Sequence, residues 1–245
     1  MSSERVLVIL PAKDEQGRIG AVLDAVRGVL PDADRVVIDD GSSDGTACES
    51  QRSGARVLSH AVNMGYGASL ETGYRYAVRQ GYGLVVQMDA DGQHLAEELP
   101  RLVEPVARGE VDIAIGTRHG AGLRGSPVRR AGQLVFSAIL LACTRRWFSD
   151  PTSGFQALGP RAVRFFASGV FPCDYPDADV LLMAHLSGLR IREYPVRMQA
   201  RVGGRSMHAG LKPLYYGGKM LLSVFIVILN VGVWRAWRRR LGDGG

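Results

Sequence analysis

Five short apolar runs punctuate the first half of the chain, and most of them end in polar residues. Val6-Leu7-Val8-Ile9-Leu10 leads into Pro11-Ala12-Lys13-Asp14-Glu15. Val36-Val37-Ile38 leads into Asp39-Asp40-Gly41-Ser42-Ser43-Asp44-Gly45-Thr46. Arg56-Val57-Leu58, Leu84 to Met88 and Ile113-Ala114-Ile115 complete the series. Unbroken apolar runs of this length read as strands buried on both faces. Between them the spacing turns helical: Ile19, Val22, Leu23, Val26 and Leu30 recur on one face, as do Leu70, Tyr74 and Ala77. Leu95 to Val106 also reads as helix. Alternating strands and helices predict an α/β fold with a mainly parallel sheet flanked by helices. In such folds ligands bind at the carboxyl ends of the strands.

After Arg118 the alternation stops. His119 to Pro127 is rich in glycine and reads as a loop, followed by an apolar helix over Leu134 to Cys143. Asp150 to Phe155 forms a turn into a further strand, Pro176 to Ser187 a helix and Leu189 to Val196 a strand. Gln199 to Gly210 is expected to be a mobile loop carrying Arg201 and Ser206. Leu214 to Trp237 is apolar and runs into Arg238, Arg239 and Arg240. No internal repeat and no clear second globular domain are visible. The expected organisation is a catalytic domain over 1–212 and an apolar helix with a basic end over 213–245.

The acidic residues fall where an α/β fold gathers its ligand contacts. Glu15, then Asp39, Asp40 and Asp44, then Asp89 and Asp91 all follow apolar runs. In Asp89-Ala90-Asp91 the two carboxylates are two residues apart, so on an extended backbone both face one side. Their repulsion is relieved by a divalent cation, and Mg²⁺ or Mn²⁺ also keeps positions open for phosphate oxygens. Gln93 and His94 follow closely enough to complete a coordination sphere, although oxygen-preferring ions favour a structural role for His94. The plainer reading is a polar strand end with a turn at Gly92. Asp40 and Asp44 similarly read either as ligand contacts or as caps of the helix that follows. Asp40-x-Ser42-x-Asp44-Gly45 is not a calcium loop, because a strand precedes it and Gln51 stands where a bidentate Glu is needed. Gly65-Tyr66-Gly67 lacks the third glycine of a dinucleotide fingerprint, with Leu70 in its place.

Composition narrows the class. The chain has 245 residues, 46% hydrophobic and 22% charged, which is ordinary for a globular protein. Its net charge of +6 suits nucleic acid, anionic lipid or phosphorylated substrates. No RNP-type or zinc-finger pattern supports nucleic acid, so no nucleic-acid partner is expected. Cys48, Cys143 and Cys173 are odd in number and far apart, which argues against a disulfide framework and for a reduced cytosolic setting. The first apolar run is too short for a signal peptide.

Several motifs together resemble one family. LPAKDE at 10–15, VIDDGSSDGT at 37–46, NMGYGAS at 63–69 and MDADGQH at 88–94 are similar to family 2 of the inverting nucleotide-sugar glycosyltransferases, which have the GT-A (Rossmann-like) fold. GTR at 116–118, DPTSGF at 150–155 and EYPVRMQARVGGRS at 193–206 resemble its polyprenyl-phosphate (dolichyl-phosphate) mannosyl- and glucosyltransferase branch. The similarity runs in order to about residue 210.

The resemblance implies roles for residues at the matching positions. Pro11, Ala12, Lys13, Glu15, Asp39, Asp40, Asp44, Asp89, Ala90 and Asp91 would contact the nucleotide sugar. Asp89, Asp91 and Gln93 would hold the metal, Mg²⁺ or Mn²⁺, and with it the diphosphate. Arg118 and Arg130 would face an acceptor phosphate, joined by Arg201 and Ser206 from a closing loop. Asp89, Asp91, Arg118, Arg130 and Asp179 form the implied catalytic set. The chain departs from the family at Lys13, usually aromatic, at Asp14, usually Asn, and at Asp179, often Glu.

The implied activity is metal-dependent, inverting transfer of a mannose- or glucose-type sugar from a GDP- or UDP-sugar to a polyprenyl phosphate. Two alternatives are transfer to a sugar or small-molecule hydroxyl, and a non-catalytic nucleotide-sugar binding protein of a membrane complex. The apolar tail is short for a span, and a single crossing would carry its arginines outside. The expectation is therefore a peripheral or monotopic protein at the cytoplasmic face. Its tail helix would lie on the membrane surface or dock on a small membrane protein.

Overall fold

The structure is a computed structural model describing residues 5–118, 127–172, 176, 178–199 and 212–242. The apolar runs form strands β1 (Val6–Ala12), β2 (Asp34–Asp39), β3 (Arg56–Ser59), β4 (Leu84–Gln87) and β5 (Ile113–Arg118). Two later strands, β6 (Gln156–Leu158) and β7 (Ile191–Val196), join them in one sheet of order β3-β2-β1-β4-β6-β5-β7. β1 pairs in parallel with β2 and β4, and β2 with β3. β6 is antiparallel to both β4 and β5, and β7 is parallel to β5. Every strand except β6 therefore points the same way, and six carboxyl ends share one edge.

The unbroken apolar character of these strands follows from cover on both faces. Along β1, Leu7 and Ile9 enter one core with Val36, Ile38, Val85 and Ile113. Val8 and Leu10 enter the other with Val37, Leu84, Val86 and Ala114. Helices α1 (Ile19–Val29) and α4 (Leu99–Ala107) cover the second core. Helix α3 (Tyr66–Gln80) covers the first and approaches β1 very closely. A Cβ on Gly73 would lie 2.6 Å from Ile9 Cγ2, so only glycine fits there. Helix α2 (Thr46–Arg52) follows β2, and α5 (Pro127–Thr144) follows β5. A short helix, α6 (Pro160–Phe165), continues β6 and leads through a single wide turn to Val170.

Three elements differ from the sequence expectation. The helix expected over Leu95 to Val106 begins as a 3₁₀ turn at Ala96–Glu98 before α4. β6 is inserted between β4 and β5, and its three residues carry no period long enough to locate it. The tail is two helices, α8 (Lys212–Leu229) and α9 (Val231–Gly242), with a 69° bend between Leu221–Leu229 and Val231–Leu241. The break falls at Asn230, whose side-chain amide donates to Ile226 O at 2.8 Å. Across the bend Trp234 Nε1 donates to Val227 O at 2.9 Å. Val224, Val227, Trp234 and Leu241 face the first core, together with α7 (Ala178–Leu186). Leu222, Phe225 and Leu229 on the other face of α8 are 58%, 56% and 68% exposed. Among the described residues no single helix is long and apolar enough to cross a membrane.

Candidate active site

The loops after β1 and β2 are stitched together by side-chain to backbone hydrogen bonds. Lys13 Nζ donates to Gly41 O at 2.8 Å, and Asp14 N to Ser42 Oγ at 3.0 Å. Ser43 N donates to Asp14 Oδ1 at 2.8 Å, Glu15 N to Thr46 Oγ1 at 2.8 Å and Gln16 N to Asp44 Oδ2 at 3.1 Å. Asp14 has a φ of +53°, a conformation that Asp and Asn tolerate better than most residues. Pro11 and Ala12 are buried at the tip of β1, and Lys13 is exposed beside them.

The carboxylates of this half divide by task. Glu15 is buried, with Oε2 2.6 Å from Arg18 Nε. Asp39, also buried, accepts from Ser42 N at 3.1 Å. Asp40 accepts from Met64 N at 2.7 Å, Gly65 N at 2.9 Å and His60 Nδ1 at 2.9 Å. Both of its oxygens are thus engaged in holding the loop before α3. Asp44 accepts from the N–H of Thr46 at 3.0 Å at the mouth of α2. Burial pushes the Asp44 carboxyl up, but the hydrogen bonds from Thr46 and Gln16 outweigh it and hold it below the usual range. Of its two readings, the hydrogen bonds favour the helix-entry role.

Asp89, Ala90 and Asp91 stand just past the carboxyl end of β4, where the strand order reverses between β1 and β4. The Asp89 side chain is 32% exposed and is held from two sides. Tyr66 Oη, on α3, donates to Oδ1 at 2.9 Å. The backbone N–H of Asp89 donates to His94 Nδ1 at 3.0 Å. His94 Nε2 lies 3.7 Å from Asp89 Oδ2, and the His94 ring stacks on Phe155 at 4.7 Å. A ring nitrogen that accepts from a backbone N–H must carry a lone pair, so His94 is neutral at Nδ1. Burial pushes its pKa down, against the fields of Asp89 and Asp91. His94 is thereby a support for Asp89 rather than a ligand.

Gln93 links the second carboxylate to a cation. Its Nε2 donates to Asp91 Oδ2 at 2.6 Å, and its Oε1 accepts from Arg118 Nη2 at 3.3 Å. In this orientation Gln93 turns its nitrogen toward Asp91, which differs from the oxygen donor expected of a metal ligand. Arg118, at the end of β5, also donates from Nε to Met198 Sδ at 3.1 Å. Past β7 the chain returns to the acidic motif: Gln199 N donates to Gln93 O at 2.8 Å. The segment with Arg201 and Ser206 begins there and lies outside the described residues. Arg130 stands in the first turn of α5, and its side chain is likewise outside them.

The DPTSGF turn closes the other side. Glu193 accepts from Ser149 N at 2.8 Å and Asp150 N at 3.0 Å, fixing the turn to β7. Gln87, buried in β4, donates to Gly154 O at 3.1 Å and accepts from Tyr74 Oη. A Cβ on Gly154 would sit 2.6 Å from Tyr66 Oη, so glycine leaves room for the Tyr66–Asp89 contact. Tyr66, Gly154 and Glu193 were absent from the expected site, although each lies within a motif that carried the resemblance. Asp179, expected to be catalytic, is 2% exposed. It accepts from Ser223 Oγ of α8 at 2.5 Å and from Val180 N at 2.8 Å, which links α7 to α8.

Asp89 and Asp91 stand two residues apart past the end of β4, both partly exposed. Among the described residues, no group of three or more His, Cys, Asp or Glu side chains is placed to hold a metal ion. A pair of carboxylates with open positions fits Mg²⁺ or Mn²⁺, which bind through one or two carboxylates plus phosphate oxygens and water.

Comparison with known proteins bears on the family and the fold. The model of the glycosyl transferase family 2 matches residues 7–168. A polyprenol monophosphomannose synthase of Mycolicibacterium smegmatis is 35% identical over 222 residues, covering 85% of this chain and 82% of that protein. An undecaprenyl-phosphate mannosyltransferase of Micrococcus luteus is 31% identical over 220 residues, covering 84% and 88%. Among solved structures, glucosyl-3-phosphoglycerate synthase of Mycobacterium tuberculosis with Mn²⁺, UDP and glucosyl-3-phosphoglycerate superposes with a TM-score of 0.70. It is 23% identical, covering 94% of this chain and 80% of that one, a likeness of fold.

Proposed function

The chain belongs to glycosyl transferase family 2, and from that membership we propose that it moves a mannose- or glucose-type sugar from a nucleotide diphosphate to a polyprenyl phosphate. The observation that carries this reading is the continuous hydrogen-bonded line from Asp91 through Gln93 to the Arg118 guanidinium. It sets an acidic pair suited to a cation-bound diphosphate beside a cation suited to a second phosphate. The names of the relatives from Mycolicibacterium smegmatis and Micrococcus luteus support the same acceptor class.

The chemistry follows from the acceptor. A hydroxyl needs a general base within hydrogen-bond reach. A phosphate monoester has a second pKa of about 6 and is already an oxyanion at pH 7. Its oxygen forms the new bond to the anomeric carbon while the bond to the donor diphosphate breaks, and the diphosphate leaves with the electron pair. A bound Mg²⁺ or Mn²⁺ supplies charge that offsets the one developing on the leaving group. In this reading Asp89 and Asp91 hold that ion, with Tyr66 and His94 fixing Asp89. Pro11, Ala12, Lys13, Glu15 and Asp39 line the nucleoside side. Arg118, Arg130, Arg201 and Ser206 orient the acceptor phosphate for in-line attack.

The same reading takes residues 1–212 as the catalytic unit and 213–245 as its attachment to a cytoplasmic membrane surface or a membrane partner. The exposed face of α8 supports it, since contiguous apolar surface marks such contacts.

The test is to incubate the protein with Mn²⁺, a panel of UDP- and GDP-hexoses, a short polyprenyl phosphate and matched hydroxyl acceptors. Mass spectrometry should find a hexosyl phosphate lipid, lost with EDTA and in Asp89→Asn and Asp91→Asn. A product formed only on the hydroxyl acceptors would sink the acceptor assignment, and full activity in EDTA the metal.

A further inference from the structure

At the amino ends of β5 and β7, opposite the acidic tips, four segments line an open, shallow cavity of about 320 Å³, in which Arg146, Arg190 and Arg238 are exposed. It is lined by Arg146, His185, Gly188, Leu189, Arg190 and Arg238. Ile113 pairs with Ile191 near it, whereas Arg118 pairs with Val196 at the other end. Five residue steps at about 3.3 Å put the two ends roughly 16 Å apart.

Among the described residues the charges around this cavity do not balance. The acidic group beside its lining is Asp112, with Oδ2 3.1 Å from Arg190 Nε and 3.0 Å from Arg161 Nη1, the latter outside the lining. One carboxylate thus faces two guanidiniums. Arg146 donates from Nη1 to Ile191 O at 3.3 Å and makes no ion pair among the described residues. The Arg238 side chain makes neither a hydrogen bond nor an ion pair among them. Its stem lies across Gly188, where a Cβ would approach Arg238 Cγ to 2.8 Å, so the glycine lets the guanidinium into the cavity. His185 feels the imbalance: burial, then the fields of Arg146 and Arg238, hold its pKa below the usual value.

We propose that this cavity is a phosphate-binding site, distinct from the acidic site, in which Arg146 and Arg238 grip a phosphate beside His185. Guanidinium forks and an imidazole N–H converging from separate segments suit a tetrahedral anion, whose oxygens point in several directions. Such a phosphate comes either from an anionic lipid headgroup or from solution. Trp147, the chain neighbour of Arg146, is 52% exposed, and an exposed Trp suits headgroup depth. The site goes beyond the transfer reaction, because none of its residues belongs to the donor or acceptor contacts.

The experiment uses the full chain. Cosedimentation compares vesicles of phosphatidylcholine with vesicles of phosphatidylcholine and phosphatidylglycerol in equal parts, and calorimetry titrates inorganic phosphate. Arg146→Gln with Arg238→Gln is compared with Arg235→Gln with Arg239→Gln, two exposed arginines of α9 outside the cavity. At about fivefold per arginine, the cavity pair should lose roughly 25-fold in binding to the anionic vesicles, and more than the control pair. Loss confined to the vesicle arm assigns a headgroup; loss confined to calorimetry assigns free phosphate. Equal losses in the two pairs, or no loss in either arm, would overturn the site. If the cavity pair folds poorly, the wild type decides. Phosphate or anionic vesicles should slow phenylglyoxal modification of Arg146 and Arg238 but not of Arg235 and Arg239, and equal slowing refutes the proposal.

Discussion

A single hydroxyl illustrates how this site depends on neighbours outside the acidic motif. Tyr66 Oη donates to Asp89 Oδ1 at 2.9 Å, and Gly154 lacks the Cβ that would collide with it. Hydrogen bonds to charged groups are worth about 1.5–3 kcal/mol, and the partial exposure of Asp89 argues for the lower end. Tyr66→Phe should therefore lower kcat/KM about tenfold. It should also weaken Mn²⁺ binding in a direct titration, with the melting temperature nearly unchanged. Gly154→Ala should do similar harm in the wild type but much less in the Tyr66→Phe background, where the colliding oxygen is gone. Fully additive losses in that double-mutant cycle would separate the two residues. Both residues were visible within quoted motifs, yet nothing local to either sequence position reveals that they meet at Asp89.

At the scale of elements, Asp112 ties the starts of three of them. It accepts from Arg190 N at 2.7 Å, Arg190 Nε at 3.1 Å and Arg161 Nη1 at 3.0 Å, joining β5 to β7 and α6. Arg161 Nε in turn reaches Leu241 O of α9 at 3.3 Å. Burial pushes the Asp112 carboxyl up, but the hydrogen bonds from Arg190 and the field of Arg161 prevail, so its folded pKa lies below the ordinary 3.8. A depressed carboxylate pKa means that the unfolded chain takes up the proton first on acidification. The stabilisation is full above the ordinary value and is lost as pH falls through the lower folded value. Asp112→Asn should cost about 1–3 kcal/mol at pH 7, discounted for the exposed arginines. Urea melts should show that gap closing below about pH 4. A gap that stays constant down to pH 2 would mean that the carboxylate charge contributes nothing.

For the whole molecule, the tail is both core and surface. Val224, Val227, Trp234 and Leu241 complete the first core, while Leu222, Phe225 and Leu229 face outward. Replacing those three by Ser should shift the protein from the membrane pellet to the soluble fraction while leaving transfer to short acceptors intact. A wild type found wholly in the soluble fraction, or a triple variant still in the pellet, would defeat membrane attachment. Deleting α8 and α9 outright should instead destabilise the catalytic unit, because it strips the cover from α7. This two-sided character was not legible in the apolar stretch from Leu214 to Trp237, since burial against a protein and burial in lipid select the same residues. By contrast, the parallel strands, the flanking helices and the acidic tips were determined by the sequence alone. They are written in short unbroken apolar runs, in a helical period of 3.6 residues and in spacings within one strand end, all local to the chain. Placing β6 between β4 and β5, committing Asp40 to the Met64–Gly65 loop, burying Asp179 against Ser223 and bending the tail at Asn230 required the tertiary structure. So did gathering Arg146, Arg190 and Arg238 around one cavity. Each of these joins residues far apart in the chain, and the energy of such a contact depends on packing that no local pattern encodes.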